Sequence, residues 1–78
     1  MNQQLIFNND FALDATRQAV SFSCLVGGLK VCCFIPVPAQ LQPDTFLQQV
    51  RAEAFNWEDA AEQAIAEDGY NSAGEIWL

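Results

Sequence analysis

Two runs of alternating residues, joined by Gly27-Gly28, carry the clearest structural signal in this chain. Residues 19–26 and 29–35 each place an apolar side chain at every second position, which is typical of strands with one buried face. Two adjacent glycines supply the positive φ angles that a two-residue hairpin turn needs. With that turn, the opposed pairs on one face are all apolar: Val26 with Leu29, Cys24 with Val31, Phe22 with Cys33, and Val20 with Ile35. The turn and the hydrophobic pattern therefore predict the same antiparallel register.

All three cysteines lie in this hairpin. Alternation places Cys24 and Cys33 on the apolar face, where free cysteines behave as small buried hydrophobes. They are diagonal neighbours, about 7 to 8 Å apart, which is beyond easy disulfide reach. A structural zinc site needs about four ligands, so three cysteines without histidine do not predict one. Cys32 faces the other, mixed side of the sheet opposite Ser23, with Lys30 on the same side, and is the candidate reactive thiol.

Short elements are predicted on either side of the hairpin. Leu5-Ile6-Phe7 reads as a first strand, closed by the turn-forming residues Asn8-Asn9-Asp10. The segment from Phe11 to Thr16 has no clear period and is predicted to be an irregular connection or a single helical turn. Pro36 and Pro38 end the strand after the glycine turn, because proline cannot donate a ladder hydrogen bond.

Two helices and a last strand follow. The first helix is expected to begin near Pro43, capped by Asp44 or by Thr45 in a capping box with Gln48. Its apolar face is predicted to comprise Phe46, Leu47, Val50, Ala54 and Phe55.

Asn56 is the predicted N-cap of the second helix, which extends to about Asp68 with Gly69 as its left-handed stop. Its inward residues are predicted to be Trp57, Ala61, Ala64 and Ile65. Residues 74–78 suit a short final strand with Ile76 and Leu78 on one side and Trp77 on the other.

This order, β-β-β-α-α-β, predicts an α+β domain with two helices on one face of an antiparallel sheet. A chain of 78 residues has room for one small domain, and we expect residues 1–78 to form it. Half of the residues are hydrophobic, so a packed core is expected despite the net charge of −7.

The charge and the N-terminus exclude several classes of function. Three basic residues against ten acidic ones make nucleic acid and anionic membranes poor partners. The N-terminal Met1-Asn2-Gln3-Gln4 has neither the basic nor the apolar region of a signal peptide, and no apolar run approaches the roughly 18 residues that span a bilayer. A cytoplasmic location with reduced thiols is the expectation.

Several positions together resemble the YrdB-like proteins, a small bacterial family of unknown function. The matching residues are Met1-Asn2-Gln3 and Phe7, then Val20, Phe22, Leu25-Val26, Gly28, Cys33 and Ile35, then Trp57, Ala61-Glu62 and Ile65, and finally Gly74-x-Ile76-Trp77-Leu78. The resemblance covers most of the chain. It implies a single α+β domain in a bacterial cytoplasm, and it implies no reaction and no catalytic residue.

The remaining chemistry in the sequence is sparse. Glu58 and Glu62 stand one helical turn apart and could approach a shared cation, although glutamates on a helix face are usually only solvated. The serines lack a histidine base. No catalytic residue, metal or other cofactor is therefore predicted.

Two functional hypotheses remain. The first is a non-enzymatic accessory or protein-interaction module that uses the acidic second helix and adjoining aromatics, namely Trp57, Glu58, Glu62 and Trp77. A homodimer is also open, since short edge strands invite pairing with another chain. The alternative is a thiol-based redox or modification sensor centred on Cys32.

Overall fold

A computed structural model describes residues 5–78 as five strands and two helices. They are β1 (Leu5–Phe7), β2 (Ala12–Asp14), β3 (Ala19–Val26), β4 (Leu29–Pro36), α1 (Pro43–Ala52), α2 (Ala54–Ala66) and β5 (Ile76–Trp77). The predictions for Met1-Asn2-Gln3-Gln4 lie outside the described residues. The α+β class is confirmed, and the sheet contains one strand more than predicted. No helix within residues 5–78 is long and apolar enough to cross a membrane.

The central hairpin has the predicted register. β3 and β4 pair antiparallel from Val26↔Leu29 to Ala19↔Pro36, and Gly27 and Gly28 occupy the turn with φ angles of 57° and 88°. All the side chains on its apolar face are buried except that of Leu29, beside the turn, which is 74 % exposed. The hairpin is therefore the centre of the sheet, and one of its faces is the core.

β1 and β2 lie one after the other along the same edge of β3. Phe7 is opposite Cys24 and Ala12 is opposite Ser21, so four residues on this edge face only two residues of β3. Such an insertion is a bulge, which interrupts the ladder and bends the strand. The prediction of an irregular or helical segment from Phe11 to Thr16 is wrong, because the chain resumes pairing with β3 after the bulge. The sequence did not predict this second strand, because the turn-forming residues Asn8-Asn9-Asp10 precede it.

The Asp10 carboxylate takes the place of the missing strand partner within the bulge. It accepts a hydrogen bond from the Ser23 backbone N–H at 2.8 Å and another from the Ser23 hydroxyl at 2.6 Å. The Asn8 side-chain amide donates to the same hydroxyl at 2.9 Å. Ser23 is only 3 % exposed, so these bonds satisfy polar groups that water does not reach.

β5 pairs with β4 in parallel, with Cys33 opposite Ile76 and Phe34 opposite Trp77. The sheet is therefore mixed, and the prediction of an entirely antiparallel sheet is wrong. Parallel neighbours require a long crossover connection, and here α1 and α2 supply it. The path of the two helices sets the direction of β5, and two strand residues carry no pattern that could reveal it.

The helix caps differ from the predicted ones. α1 begins at Pro43 with Gln42 as N-cap and no side-chain cap hydrogen bond, so neither Asp44 nor Thr45 caps it. Proline suits the first helical position because its missing N–H would have no partner there. Glu53 both ends α1 and precedes α2, so Asn56 lies inside a helix and is not a cap.

This break at Glu53 also reverses the predicted orientation of Phe55. The helical period of α1 does not continue into α2, and Phe55 points outward with 83 % of its surface exposed. The predicted placement of Phe55 on the apolar face of the first helix is therefore wrong.

α2 ends two residues earlier than predicted. Asp68, with φ of 59°, adopts the left-handed conformation that the sequence predicts for Gly69. The N–H groups of Asp68 and Gly69 donate to the carbonyls of Ile65 and Ala64, which is the Schellman pattern of helix ends. A Cβ at Gly69 would stand 3.1 Å from the Ala64 carbonyl oxygen, so glycine serves close approach rather than positive φ here.

Both helices cover the apolar face of the hairpin. Phe46 and Val50 of α1 and Ala61 of α2 are buried in one cluster with the strand residues, and Trp57, Ala64 and Ile65 pack against it. Phe11, from the bulge, stacks on Phe22 with ring centroids 4.7 Å apart. The Arg51 guanidinium donates to the Phe11 carbonyl at 3.0 Å and so ties α1 to the bulge.

Replacing Asp10 tests the role of the bulge. Asp10→Ala leaves the Ser23 N–H and hydroxyl without their carboxylate partner, and we expect it to lower the free energy of unfolding by about 1–3 kcal/mol. Urea denaturation at neutral pH measures this change. Asp59→Ala on the exposed side of α2 removes the same charge and is the matched control. Equal midpoints for the two variants would refute this role for Asp10.

Candidate functional site

The sheet face opposite the helices carries a mixed set of side chains. Its first row consists of Ile6, Leu25 and Lys30, its middle row of Ser23 and Cys32, and its third row of Ala12, Ser21, Phe34 and Trp77. We call this surface the open face. Its side chains come from all five strands. The open face is the first of two candidate surfaces.

Phe34 is buried on the open face although no helix covers it. The Trp77 ring stacks on Phe34 with centroids 4.9 Å apart, and the Arg17 guanidinium lies 4.8 Å from the Phe34 ring centroid. These two neighbours leave only 4 % of Phe34 exposed. A cation over an aromatic face is attracted by the ring quadrupole, so Arg17 helps to hold this stack together.

Arg17 also links the edge strand to the end of the chain. Its guanidinium donates to the Asp14 carboxylate at 3.0 Å and to the Glu75 carboxylate at 3.1 Å. Glu75 in turn accepts hydrogen bonds from the Trp77 indole N–H at 3.3 Å and from the Asn71 side-chain amide at 3.2 Å. This network holds the two-residue strand β5 against the sheet.

The pKa values of the network follow from these contacts. The Asn71 hydrogen bond is the largest influence that holds the pKa of Glu75 below its usual value, and Trp77 and Arg17 add to it. The backbone N–H of Arg17 lowers the pKa of Asp14, and the bond to Asp14 raises that of Arg17. Burial raises the pKa of Asp10, but the hydrogen bonds from Ser23 outweigh it and the net shift is downward.

Cys32 lies in a shallow groove of ≈ 270 Å³ across the open face. Its side chain is exposed, as strand alternation predicts, and Lys30 lines the same groove. The carboxylates of the groove, Asp10, Asp14 and Glu75, already bind Ser23 or Arg17. The reactivity of Cys32 stays a prediction.

Cys24 and Cys33 are buried on the opposite face, as predicted. Burial raises the pKa of the Cys33 thiol to about 12, and it also raises that of Cys24. At neutral pH both are protonated and act as core side chains.

The second candidate surface is the outer side of α2. Phe55, Glu58, Asp59 and Glu62 share one side of this helix, because they follow each other at three-, four- and seven-residue intervals. Phe55 is 83 % exposed, and Asp59 and Glu62 are also exposed. We call these four residues the α2 outer face. Sequence periodicity missed Phe55 because the break at Glu53 cannot be seen in the apolar pattern.

The two tryptophans of the predicted partner surface lie on opposite sides of the sheet. Trp57 is half-buried and packs onto the core from the inward side of α2, about 160° around the helix axis from Phe55. Trp77 is 41 % exposed on the open face. Glu58 and Glu62 share the α2 outer face, and the structure brings neither Trp57 nor Trp77 onto that face.

A third feature, an apolar groove of ≈ 400 Å³, lies at the end of the sheet away from the hairpin turn. Its apolar walls come from β2 and from the connection between β4 and α1, chiefly Leu13, Val37, Pro38 and Leu41. No sequence pattern predicts this groove, because its walls come from two distant segments. It brings no set of converging charged groups together.

Comparisons with known proteins agree with this fold. The family described as protein of unknown function (DUF1488) matches residues 5–78. The uncharacterized protein YrdB of Escherichia coli (strain K12) is 27 % identical over 84 residues, covering 100 % of this chain and 99 % of that protein. The resemblance to YrdB-like proteins is thereby confirmed.

A solved structure shows the same arrangement of elements. The crystal structure of a protein of unknown function from the DUF1488 family of Shewanella loihica PV-4 superposes with a TM-score of 0.86 at 22 % sequence identity. The match covers 100 % of this chain and 94 % of that one. At this identity the similarity shows the fold.

Thiol titration distinguishes the three cysteines. We expect one thiol per chain, Cys32, to react with Ellman's reagent in the native protein at pH 8, because Cys32 is exposed to the reagent and the other two cysteines are buried. The other two should react after urea is added. In Cys32→Ser the native reaction should disappear. Release of more than one equivalent from the folded protein would contradict this assignment.

Acid titration tests the Glu75 network. A carboxyl whose pKa is lowered by folding contributes stability above its unfolded pKa, near 4.5 for Glu75, and loses it as the pH falls through the folded pKa. Stability should therefore decline below about pH 4.5, and Glu75→Gln should reduce this slope. Urea midpoints between pH 3 and pH 6 measure it.

Asn71→Ala is the companion variant in this titration. It removes the hydrogen bond that lowers the pKa of Glu75 most, so the folded pKa of Glu75 should move toward its unfolded pKa. The decline in stability should still begin near pH 4.5, but it should be smaller and should end at a higher pH. Identical pH slopes for Glu75→Gln and the wild type would show that the network adds nothing to acid stability.

Proposed function

The chain belongs to the DUF1488 family, whose function is unknown, and we propose that it is a non-enzymatic protein-interaction module. The proposed contact surface is the α2 outer face, whereas Trp57 packs on the core-facing side of the same helix. The observation that carries the proposal is the exposure of Phe55 at the start of an acidic helix.

Phe55 has no covering partner within residues 5–78. Moving a phenylalanine side chain out of water is worth about 1.5–3 kcal/mol, so its exposure offers a binding partner considerable free energy. Isolated exposed apolar residues are common on proteins. Here, however, the ring projects from a helix with a defined charge, and this combination specifies what could cover it.

The charge of α2 defines the partner. The segment 53–68 holds six carboxylates and no lysine or arginine, which is most of the acidic excess of the chain. Its carboxylates belong to Glu53, Glu58, Asp59, Glu62, Glu67 and Asp68. A basic protein surface is attracted to such a helix at long range, and an apolar pocket within that surface accommodates Phe55. We therefore propose a lysine- or arginine-rimmed apolar pocket on the partner.

An interface with an aromatic hot spot and a charged rim would account for the phenylalanine and the carboxylates of the α2 outer face. Aromatic anchors at the centre of an interface commonly supply most of the binding energy, and surrounding polar residues supply orientation and rate. Phe55 is the proposed anchor. Glu58, Asp59 and Glu62, which flank Phe55 on the α2 outer face, form the proposed rim.

The second candidate function is a thiol sensor centred on Cys32, which the exposure of that side chain favours. Redox sensing in one chain usually uses a second, resolving thiol. Cys24 and Cys33 lie on the other face of the sheet, so neither can serve Cys32. We therefore rank this function below the interaction module.

Affinity capture with matched variants tests the proposal. Immobilised wild-type protein and Phe55→Ser are exposed to the same bacterial lysate, with Leu29→Ser as control because Leu29 is similarly exposed but lies at the hairpin turn. We expect a basic protein to be retained by the wild type and by Leu29→Ser, and to be reduced about tenfold or more on Phe55→Ser.

The charge contribution is measured in the same experiment. Glu58→Lys with Glu62→Lys should weaken retention, and so should raising the salt concentration to about 0.5 M, because screening weakens exposed charge attraction. Proteins retained equally by the wild type and Phe55→Ser would show that the α2 outer face is not the contact surface.

A further inference from the structure

We propose that the open face binds a second copy of this chain and forms a two-fold symmetric dimer. This inference is independent of the partner proposed for α2, because the open face and the helices lie on opposite sides of the sheet. It rests on the position of exposed apolar residues and on the local charge balance.

Exposed apolar side chains lie at two opposite corners of the open face. At one corner, Ile6 is 45 % exposed and Leu25 is half-buried beside it. At the other, Trp77 is 41 % exposed, two rows further along β3 and on the far edge of the sheet. The polar groove with Cys32 runs between them.

This diagonal arrangement is self-complementary. In a two-fold dimer every contact occurs twice, since residue i meets residue j and j meets i. A two-fold axis across the middle of the face, perpendicular to the line between the corners, places Trp77 of each copy over Ile6 and Leu25 of the other. This two-fold rotation therefore covers both exposed apolar corners of each copy.

The charge of the open face also favours a second copy. Two chains that each carry −7 repel one another, and the repulsion is strongest where α2 would meet α2. On the open face, Arg17 and Lys30 nearly balance the carboxylates of Asp10, Asp14 and Glu75. Two copies therefore meet less repulsion when they approach through this face than when they approach through α2.

The open face has the area of a small interface. β3 and β4 have eight residues each, about 27 Å of strand, and four strands side by side span about 19 Å. The face therefore covers about 500 Å², which is below the roughly 800 Å² that each partner buries in a standard interface, so a weak dimer is expected. Packing of two sheets face to face is a common way to cover such a surface.

Sedimentation velocity measures the association. We expect the wild type to sediment as a dimer at about 100 μM and Ile6→Glu to raise the dissociation constant at least tenfold, because the new carboxylate is buried against Trp77 of the other copy. Leu29→Glu is the matched control: it adds the same charge on the helix side of the hairpin turn and should leave the dissociation constant unchanged. Phe55→Ser should also leave it unchanged.

Cross-linking through the natural cysteine Cys32 tests the position of the two-fold axis and requires no substitution. Cys32 lies in the middle row, close to the proposed axis, so two copies bring their Cys32 thiols together. Oxidation by copper phenanthroline, which takes one electron from each thiol as each loses its proton, should link them into a covalent dimer. Cys32→Ser should stay uncross-linked.

Three results would overturn the proposal. The first is a monomeric wild type at 100 μM. The second is an equal loss of association in Ile6→Glu and Leu29→Glu. The third is a dimer whose Cys32 thiols do not cross-link. None of these results bears on binding of a basic protein by α2, so the two proposals fail separately.

Discussion

The whole structure depends on the register between β3 and β4. Two glycines allow a two-residue turn, and that turn pairs every apolar position of one strand with an apolar position of the other. A shift by one residue would turn all of these side chains into water, so the register is strongly specified. Both edges of the sheet and both helices then pack onto a hairpin whose two faces already differ in polarity.

The edges of that hairpin are held by polar side chains rather than by long strands. On one edge, Asp10 replaces the strand backbone and satisfies the N–H and hydroxyl of Ser23. On the other, the two residues of β5 are held by the Phe34–Trp77 stack and by the carboxylate of Glu75. The sequence suggested pairing of an edge strand with another chain. β2 and β5 have only three and two residues and expose few unpaired backbone groups, which limits such pairing. The acidic residues near the sheet therefore have structural partners, whereas those of α2 face water.

This difference separates the two candidate surfaces. The α2 outer face combines an uncovered aromatic ring with a concentrated negative charge, and its natural counterpart is basic. The open face combines exposed apolar corners with nearly balanced charge, and a second copy of the chain suits it. Cys32, the cysteine on the open face, is exposed, and the other two are core residues. A domain this small thus presents two chemically different surfaces on its two sides.

The sequence by itself determined the hairpin, its register, the burial of Cys24 and Cys33, the exposure of Cys32 and the two helices. These features follow from local periodicity and from turn chemistry, which act between residues close in the chain. Only the tertiary structure decided the second edge strand, the parallel direction of β5, the outward position of Phe55 and the separation of Trp57 from Trp77. Each of these depends on where distant segments meet: the bulge on the carboxylate of Asp10, β5 on the crossover of two helices, and Phe55 on the break at Glu53. Local sequence patterns contain no information about these long-range contacts. Only the three-dimensional structure therefore shows which residues make up the two candidate surfaces.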